Sequence, residues 1–228
     1  MLFVLNIGNT NVHYGVYTNG GFENIQSCPT SAFSRDLLPD DMPLACACVV
    51  PSVLQYFDGL DVFFITAEVN LGFDLEKVDS TTIGADRLAN AAGLSLGNLP
   101  ALCIDCGTAL TFEAVNDKRE FIGGAIAPGR ALMRKALNDH TALLPSAPFV
   151  DSIPTIGTTT VEAITVGIDR GIIGSVKEII SSISNDTSFR TVAIGGDADF
   201  LCNNIPELTN GGDSFTLLGI VDIWQRNQ

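Results

Sequence analysis

Two well-separated segments of the chain place glycine next to small polar side chains. Residues 8–10 are Gly-Asn-Thr and residues 107–109 are Gly-Thr-Ala, and each segment follows an apolar run. Glycine lets a backbone approach a phosphate closely, while Asn and Thr supply hydrogen-bond donors without negative charge. Facing each other, the two segments could hold a triphosphate, although each is also compatible with an ordinary turn.

Two aspartates stand where they could take part in phosphate chemistry. Asp105 ends the apolar run before Gly107, and a carboxylate there repels a phosphate unless it holds a cation. The alternative is a turn carboxylate that caps its own backbone. Asp86 lies in Gly-Ala-Asp-Arg at residues 84–87 and could be a general base, with Arg87 directed at an anionic substrate. It could equally be the N-cap of the helix that follows.

Two further glycine-rich segments each follow a predicted strand. Residues 123–129 are Gly-Gly-Ala-Ile-Ala-Pro-Gly, which could be a phosphate or substrate loop. Residues 195–198 are Gly-Gly-Asp-Ala, where a glycine pair could let a base or ribose lie against the backbone. Both segments are also normal connections between a strand and a helix, so neither is specific by itself.

An internal repeat predicts the elements that position these residues. Residues 2–24 and 102–124 each contain an apolar strand, Asn or Asp, one residue, Gly, a second strand and a polar turn. This order predicts a β-hairpin with a polar tip that is used twice, which favours duplication over chance.

The rest of the pattern predicts helices at about 86–96, 130–144, 159–182 and 214–225, and a strand at 191–196. We therefore predict an α/β fold of two lobes with mixed β-sheets around a central cleft. A turn cluster at residues 97–100 divides the chain into lobes 1–98 and 99–228. The small residues of the helix that follows residue 84 could pack closely against a partner.

Composition restricts the partners and the compartment. The net charge of −14 repels nucleic-acid phosphates and anionic lipid, so we expect neither nucleic acid nor a membrane as a partner. Six cysteines in a chain of 228 residues are too sparse for a disulfide scaffold, and we expect reduced, buried thiols. The first residues lack a basic leader and no apolar run is long enough to span a membrane, which points to the cytoplasm.

The ordered motifs resemble the type III pantothenate kinase family over essentially the whole chain. They are GNT, CACVVPSV, GADR, D-x-GTA-x-T, GGAIAPG, T-x-EAI-x-x-GI and GGDA. The resemblance implies a duplicated ribonuclease-H-like fold of the actin-like ATPase superfamily and a homodimer. It also implies an enzyme that uses ATP to phosphorylate pantothenate to 4'-phosphopantothenate, the first step of coenzyme A biosynthesis. Such enzymes depend on Mg²⁺ and on a monovalent cation, K⁺ or NH₄⁺.

The same resemblance implies roles for individual residues. Asp86 is the proton acceptor, Asp105 holds the monovalent cation and Thr108 contacts ATP. Thr160 contacts pantothenate, and the segment at 195–198 borders the adenosine. The first ATP phosphate loop is formed by Asn6, Ile7, Gly8, Asn9, Thr10, Asn11, Val12 and His13. Pantothenate is bound by Gly84, Ala85, Asp86 and Arg87.

Asn6 is the main departure from the family pattern, which has Asp at this position. Asn has nearly the same shape as Asp but lacks the charge that attracts Mg²⁺. A second departure precedes residue 84, where Lys77 and Ser80 stand in place of the usual aromatic and Pro. The alternative function is therefore a weakened homologue that binds nucleotide or pantothenate in an accessory or regulatory role.

Overall fold

The computed structural model describes residues 1–185 and 187–228 and contains two five-stranded sheets. The first sheet has the strand order β3-β2-β1-β4-β5. Its strands are β1 (Leu2–Ile7), β2 (Asn11–Thr18), β3 (Gly21–Pro29), β4 (Leu44–Cys48) and β5 (Val62–Phe64). Strands β1, β2 and β3 pair antiparallel, whereas β4 and β5 continue the sheet in parallel on the other side of β1.

The second sheet repeats this order as β8-β7-β6-β9-β10. Its strands are β6 (Ala101–Cys106), β7 (Ala109–Val115), β8 (Phe121–Pro128), β9 (Arg190–Ile194) and β10 (Thr209–Asn210). Again three strands pair antiparallel, and two strands then extend the sheet in parallel. The duplication inferred from the two hairpins therefore extends to whole sheets, including a third strand in each copy.

Within the described residues, five α-helices accompany the sheets. They are α1 (Ala85–Ser95), α2 (Arg130–His140), α3 (Thr160–Ser184), α4 (Ala198–Asn204) and α5 (Phe215–Arg226). The sequence missed α4 and placed the end of α2 four residues too late. Helix α2 ends because Thr141 is extended and its hydroxyl binds the carbonyl of Leu137 and the N–H of Leu144. No helix of the described residues is long and apolar enough to cross a membrane.

Helices α1 and α5 lie between the two sheets and bind them together. Leu88 of α1 and Ile220 of α5 are buried in one core with Val4 of the first sheet. Leu94 of α1 instead packs with Cys103 of the second sheet. Helix α5 thus belongs in sequence to the second predicted lobe but packs on the first sheet. The division into lobes 1–98 and 99–228 stays a prediction.

The sequence suggested that the small residues of α1 could pack against a partner, but in the structure they do not face outward. Ala89, Ala91 and Ala92 are fully buried within this chain. Gly219 of α5 brings the two helix backbones together, since a methyl group on it would overlap the carbonyl oxygen of Ala89. The purpose of the small residues is therefore the close contact between α1 and α5.

We predict that Gly219→Ala destabilises the protein by about 1–3 kcal/mol, because the added methyl forces the two helices apart. Gly167→Ala is the matched control, since this glycine occupies an exposed position of helix α3 and no atom lies near the added methyl. We expect the control to gain about 0.5–1 kcal/mol from helix propensity. Urea unfolding measures both, and equal effects of the two changes would contradict the close contact.

Candidate active site

The tips of the two hairpins meet where the sheets face each other. The hydroxyl oxygens of Thr10 and Thr108 lie 2.6 Å apart in a hydrogen bond. Each tip is closed by a backbone hydrogen bond: Gly8 N–H donates to Asn11 O, and Gly107 N–H donates to Ala109 O, both at 3.0 Å, so the first turn is one residue longer. The glycine segments thus face one cleft, as their repeated order predicted.

A cavity of about 150 Å³ lies beside the two tips. Its lining includes Asn6 and His13, which are directly opposite each other in the pairing of β1 and β2. From the other side it is lined by Asp105, Ile194, Gly195, Gly196, Gly212, Asp213, Thr216 and Leu217. The amide oxygen of Asn6 is buried without a hydrogen-bond partner among the described residues. A buried acceptor of this kind is costly unless a ligand or water satisfies it.

Asp105 stands at the end of β6 with its carboxylate in this cavity. Burial, and after it the nearby charge of Asp86, raise its pKa to about 6, although the hydrogen bond from the amide of Asn90 opposes part of the shift. Asn90 Nδ2 donates to Asp105 Oδ2 at 3.5 Å. The site therefore favours a bound cation or a proton at Asp105.

Asp86 lies in the first turn of α1 but is not its N-cap. The helix begins at Ala85, and Gly84 occupies the capping position without any side-chain bond. The N-cap interpretation is therefore wrong, because Asp86 is already inside the helix. Its Oδ1 instead accepts the N–H of Arg87 at 2.8 Å. Burial raises the pKa of Asp86, and the N–H and charge of Arg87 only partly oppose this.

Arg87 is paired with a buried carboxylate that the sequence did not single out. Its Nε donates to Glu113 Oε1 at 2.8 Å, and the Glu113 side chain is fully buried. Burial raises the pKa of Glu113 to about 7, against the opposing charge of Arg87. Glu113 lies on β7 among apolar residues, and its charge within the run LTFEAV was the available signal.

The two other glycine-rich segments both approach this cleft. Gly129 donates its N–H to Thr108 O at 2.9 Å, and a side chain on it would overlap the carbonyl of Gly107. The segment at 123–129 therefore supports the second tip. Gly195 has a φ of +86°, and a methyl on it would lie 2.7 Å from Asp105 Oδ1. Glycine is required at both places so that backbone can pack against the site.

Two larger cavities share residues with, or border, the segments of the site. A cavity of about 620 Å³ is lined by Gly84 and Ala85, which precede Asp86, and by Cys48, Val49 and other mostly uncharged residues. A second cavity, of about 570 Å³, is lined by Gly196, Asp197, Arg130, Phe149, Val150, Asp151, Phe200, Asn203 and Asn204. These two spaces could take the two reactants of a transfer reaction.

Arg130 and the residues around it give the second cavity a firm wall. Its Nη1 donates to Asp197 at 2.7 Å, its Nε donates to buried Asp169 at 2.9 Å, and its guanidinium lies 3.5 Å from the Phe200 ring centre. Arg134 donates to the same Asp169. Nε and Nη1 of Arg130 are thus both engaged by carboxylates of the protein.

The remaining predicted site residues differ in their exposure to solvent. Asn9 and Asn11 are exposed at the first tip, while Ile7 and Val12 are buried in the core beneath it. Thr160 is exposed at the start of α3, where Thr159 and Glu162 form a capping box. Among the described residues no hydrogen bond joins Thr160 to Asp86 or Arg87, and Thr160 is not among the lining residues of the three cavities described above.

The residues around the cavity fit a cation only as part of a larger ligand set. Asp105 offers a carboxylate and Asn6 offers its unpartnered amide oxygen. Residues 1–185 and 187–228 contain no group of three or more His, Cys, Asp or Glu side chains that could hold a metal ion. Oxygens of a bound phosphate ligand and of water would have to complete the coordination of Mg²⁺ or K⁺.

Comparison with known proteins shows what this chain is similar to. A family model described as type III pantothenate kinase matches residues 42–182. A Methylacidiphilum infernorum protein named type III pantothenate kinase is 32% identical, covering 96% of this chain and 86% of its own length. An Akkermansia muciniphila protein of the same name is 35% identical over 79% of this chain and 76% of its length.

A solved structure extends the likeness to the whole fold. A Campylobacter jejuni protein named for the Baf family of transcriptional activators superposes with a TM-score of 0.74 at 18% identity, covering 99% of this chain and 98% of that one. An identity this low shows the fold alone. With the two sheets of matching strand order, it confirms the predicted duplicated α/β fold with mixed sheets.

We predict that Asp105 makes the protein less stable as the pH rises from about 4 to 6. The folded state then keeps a proton that the unfolded state has released, so the free energy of unfolding falls with pH. Asp105→Asn should remove this slope, by at most about 1.4 kcal/mol per pH unit. Urea unfolding at several pH values compares the variant with wild type, and parallel curves would refute the raised pKa.

Proposed function

The chain belongs to the type III pantothenate kinase family, and from this membership we propose that it transfers the γ-phosphate of ATP to the primary hydroxyl of pantothenate. The product, 4'-phosphopantothenate, begins coenzyme A biosynthesis. The observation that carries the proposal is the meeting of the Thr10 and Thr108 tips beside Asp86 and Asp105. It supplies phosphate donors from both lobes and a carboxylate for the attacking hydroxyl in one cleft.

The two tips bind the triphosphate chain of ATP. Residues 6–13 and Thr108 surround the cleft, and the hydroxyls of Thr10 and Thr108 are available donors once a ligand replaces their mutual bond. Backbone N–H groups and hydroxyls are the donors that bind phosphate without adding negative charge. This matters in a protein with a net charge of −14.

Asp86 accepts the proton of the attacking hydroxyl. Its burial raises its pKa, which brings the carboxylate closer to the basicity of a useful general base. The cavity beside residues 84 and 85 is the place for pantothenate, so its hydroxyl would lie between Asp86 and the tips. Arg87, at the start of the same helix, binds the anionic end of this substrate.

The adenosine half of ATP occupies the cavity beside the segment at 195–198. Gly196 lines both this cavity and the smaller one at the tips, so the two are adjacent. Phe149 offers an aromatic face, and Asn203 and Asn204 offer polar groups for a base or ribose. The interior position of Arg130 makes it a support for this wall rather than a phosphate ligand.

Mg²⁺ and a monovalent cation, K⁺ or NH₄⁺, complete the proposed site. Asp105 would hold the monovalent cation, and Asn6 would add a neutral oxygen. When bound, these ions neutralise charge on the triphosphate during phosphoryl transfer. The protein's own contribution is to align the hydroxyl, the phosphate donors and the base, since this chemistry depends mainly on positioning.

In a homodimer, Thr160 of one copy could contribute to the site of the other. Thr160 is exposed at the start of α3, and exposed apolar side chains at Ile126, Leu143 and Ile156 offer a surface for a second copy. Light scattering at micromolar concentration tests this arrangement.

A cytoplasmic location fits the six cysteines, which are all free thiols in the structure.

We predict that Asp86→Asn lowers turnover of pantothenate by about 10²–10⁴-fold, because it removes the proton acceptor. Asn keeps the oxygen that accepts the Arg87 N–H, so ATP binding and the melting temperature should change little. The measurement is phosphopantothenate formed from ATP and pantothenate with Mg²⁺, with and without K⁺.

The matched control for this prediction is Asp74→Asn. Asp74 is exposed and makes the same kind of local bond, accepting the N–H of Glu76 at 2.7 Å. Its replacement should leave turnover unchanged. An Asp86→Asn enzyme with wild-type turnover would remove Asp86 from the chemistry, and wild-type protein that forms no phosphopantothenate would defeat the proposed function.

We predict that Asn6→Asp lowers the Mg²⁺ concentration needed for half-maximal activity, because a carboxylate attracts Mg²⁺ more strongly than an amide does. Asp105→Asn is the comparison variant and should weaken activation by K⁺ instead. Titrating each ion at a saturating level of the other separates the two effects. An unchanged Mg²⁺ requirement in Asn6→Asp would show that position 6 does not contribute to the Mg²⁺ site.

A further inference from the structure

Arg87 follows Gly84 and Ala85, which line the cavity proposed for pantothenate, and it pairs with the buried carboxylate of Glu113. The Arg87 side chain is 17% exposed, whereas Glu113 is fully buried. Arg87 uses Nε toward Glu113 and Nη2 toward the carbonyl of Phe112, at 3.2 Å. Within the described residues its Nη1 group makes no hydrogen bond. One edge of the guanidinium is therefore held by the protein while the other is left for a ligand.

The structure also fixes Glu113 on its other side. Glu113 Oε2 lies 3.5 Å from Asn90 Nδ2, which reaches Asp105 at the same distance. The oxygen of the Asn90 side chain accepts the hydroxyl of Thr216 at 2.7 Å, so the amide is held in orientation. The carboxylate of Glu113 thus contacts Arg87 and Asn90 of α1, and Asn90 is itself bound by Thr216 of α5.

Strand β8 leaves room for this arrangement. Gly124 is directly opposite Glu113 in the pairing of β7 and β8. A methyl on Gly124 would lie 3.3 Å from Arg87 Nη2 and would overlap the carbonyl of Phe112. The ring of Phe121 lies 5.9 Å from the guanidinium and limits its movement on another side.

We propose that Glu113 is a positioning residue for substrate selection: it orients Arg87 so that the free guanidinium edge binds the carboxylate of pantothenate. This inference rests on the proposed function. A guanidinium binds a carboxylate best through two parallel N–H bonds, and such a geometry is lost when the group can rotate. Glu113 therefore acts on the choice of substrate through Arg87, without touching the transferred phosphate.

Two substitutions at the same position separate orientation from charge. Glu113→Gln keeps the length of the side chain and an oxygen that accepts the Arg87 Nε–H, but removes the charge. Glu113→Met keeps the approximate length and removes both. If orientation matters, we expect the KM for pantothenate to rise tenfold or more in Glu113→Met and less than threefold in Glu113→Gln. If only charge balance matters, both variants change alike, which would overturn the proposal.

A second substrate shows whether the effect concerns the carboxylate. Pantothenyl alcohol has the same hydroxyl to phosphorylate but an alcohol in place of the carboxylate. We expect Glu113→Met to change kcat/KM for pantothenyl alcohol less than twofold, so that the preference for pantothenate falls about tenfold. The KM for ATP should stay within twofold of wild type. An equal loss for both acceptors would mean that Glu113 has only a structural role.

A double variant keeps the test decisive if Glu113→Met folds poorly with Arg87 left unpaired. The single variant Arg87→Met is compared with the double variant Arg87→Met/Glu113→Met. In the double variant both charges of the buried pair are removed, so no charge imbalance is left. Because Glu113 acts through Arg87, the two should bind pantothenate equally. A further loss of affinity in the double variant would contradict the proposal.

Isothermal titration with pantothenate alone separates this inference from the proposed function. If wild-type protein binds pantothenate, and Glu113→Met weakens the binding tenfold while no phosphate is transferred, the kinase function fails and the positioning role stands. If phosphate is transferred normally in Glu113→Met at wild-type KM, the positioning role fails and the kinase function stands. If pantothenate does not bind to wild-type protein, both fail.

Discussion

Three carboxylates converge where the two lobes meet, and a single arginine pairs with one of them. Asp86, Asp105 and Glu113 all have raised pKa values, first of all because burial disfavours their charged forms. Arg87 pairs directly with Glu113, which leaves Asp86 and Asp105 to repel each other across the cleft. This unbalanced negative charge makes the site suited to a cation and to a proton acceptor, whereas without a cation it would repel a phosphate ligand.

Helix α1 carries the residues that divide this charge among separate tasks. Asp86 and Arg87 stand in its first turn, and Asn90 follows one turn later, where its amide reaches both Asp105 and Glu113. The helix can hold them in place because it is packed against α5, through the contact of Gly219 with Ala89 and the hydrogen bond from Thr216 to Asn90. The packing of two helices and the orientation of the site residues are therefore one arrangement.

The sequence predicted the parts of this arrangement that depend on local pattern. The repeated hairpins followed from alternating strands and polar turns, and the facing tips of Gly8 and Gly107 followed from their repetition. The placement of α5 on the first sheet could not be predicted, because an apolar helix carries no label for the sheet that it covers. The partnership of Arg87 and Glu113 was equally hidden, since 26 residues separate them and only the folded sheet brings them together. The assignment of Asp86 as a possible N-cap failed by two positions, which lies within the usual uncertainty of helix boundaries.

The charge of the cleft also gives a physical reason for an amide at position 6. Asn6 lines the same cavity as Asp105, so an aspartate there would add a further negative charge beside a carboxylate whose pKa is already raised to about 6. An amide avoids that repulsion in the empty cleft, but its buried oxygen is then left without a partner. A bound cation, or a water held by a phosphate ligand, would give this oxygen a partner. Asn6 thus limits the repulsion beside Asp105 while it still presents an oxygen that can bind a ligand of the cleft.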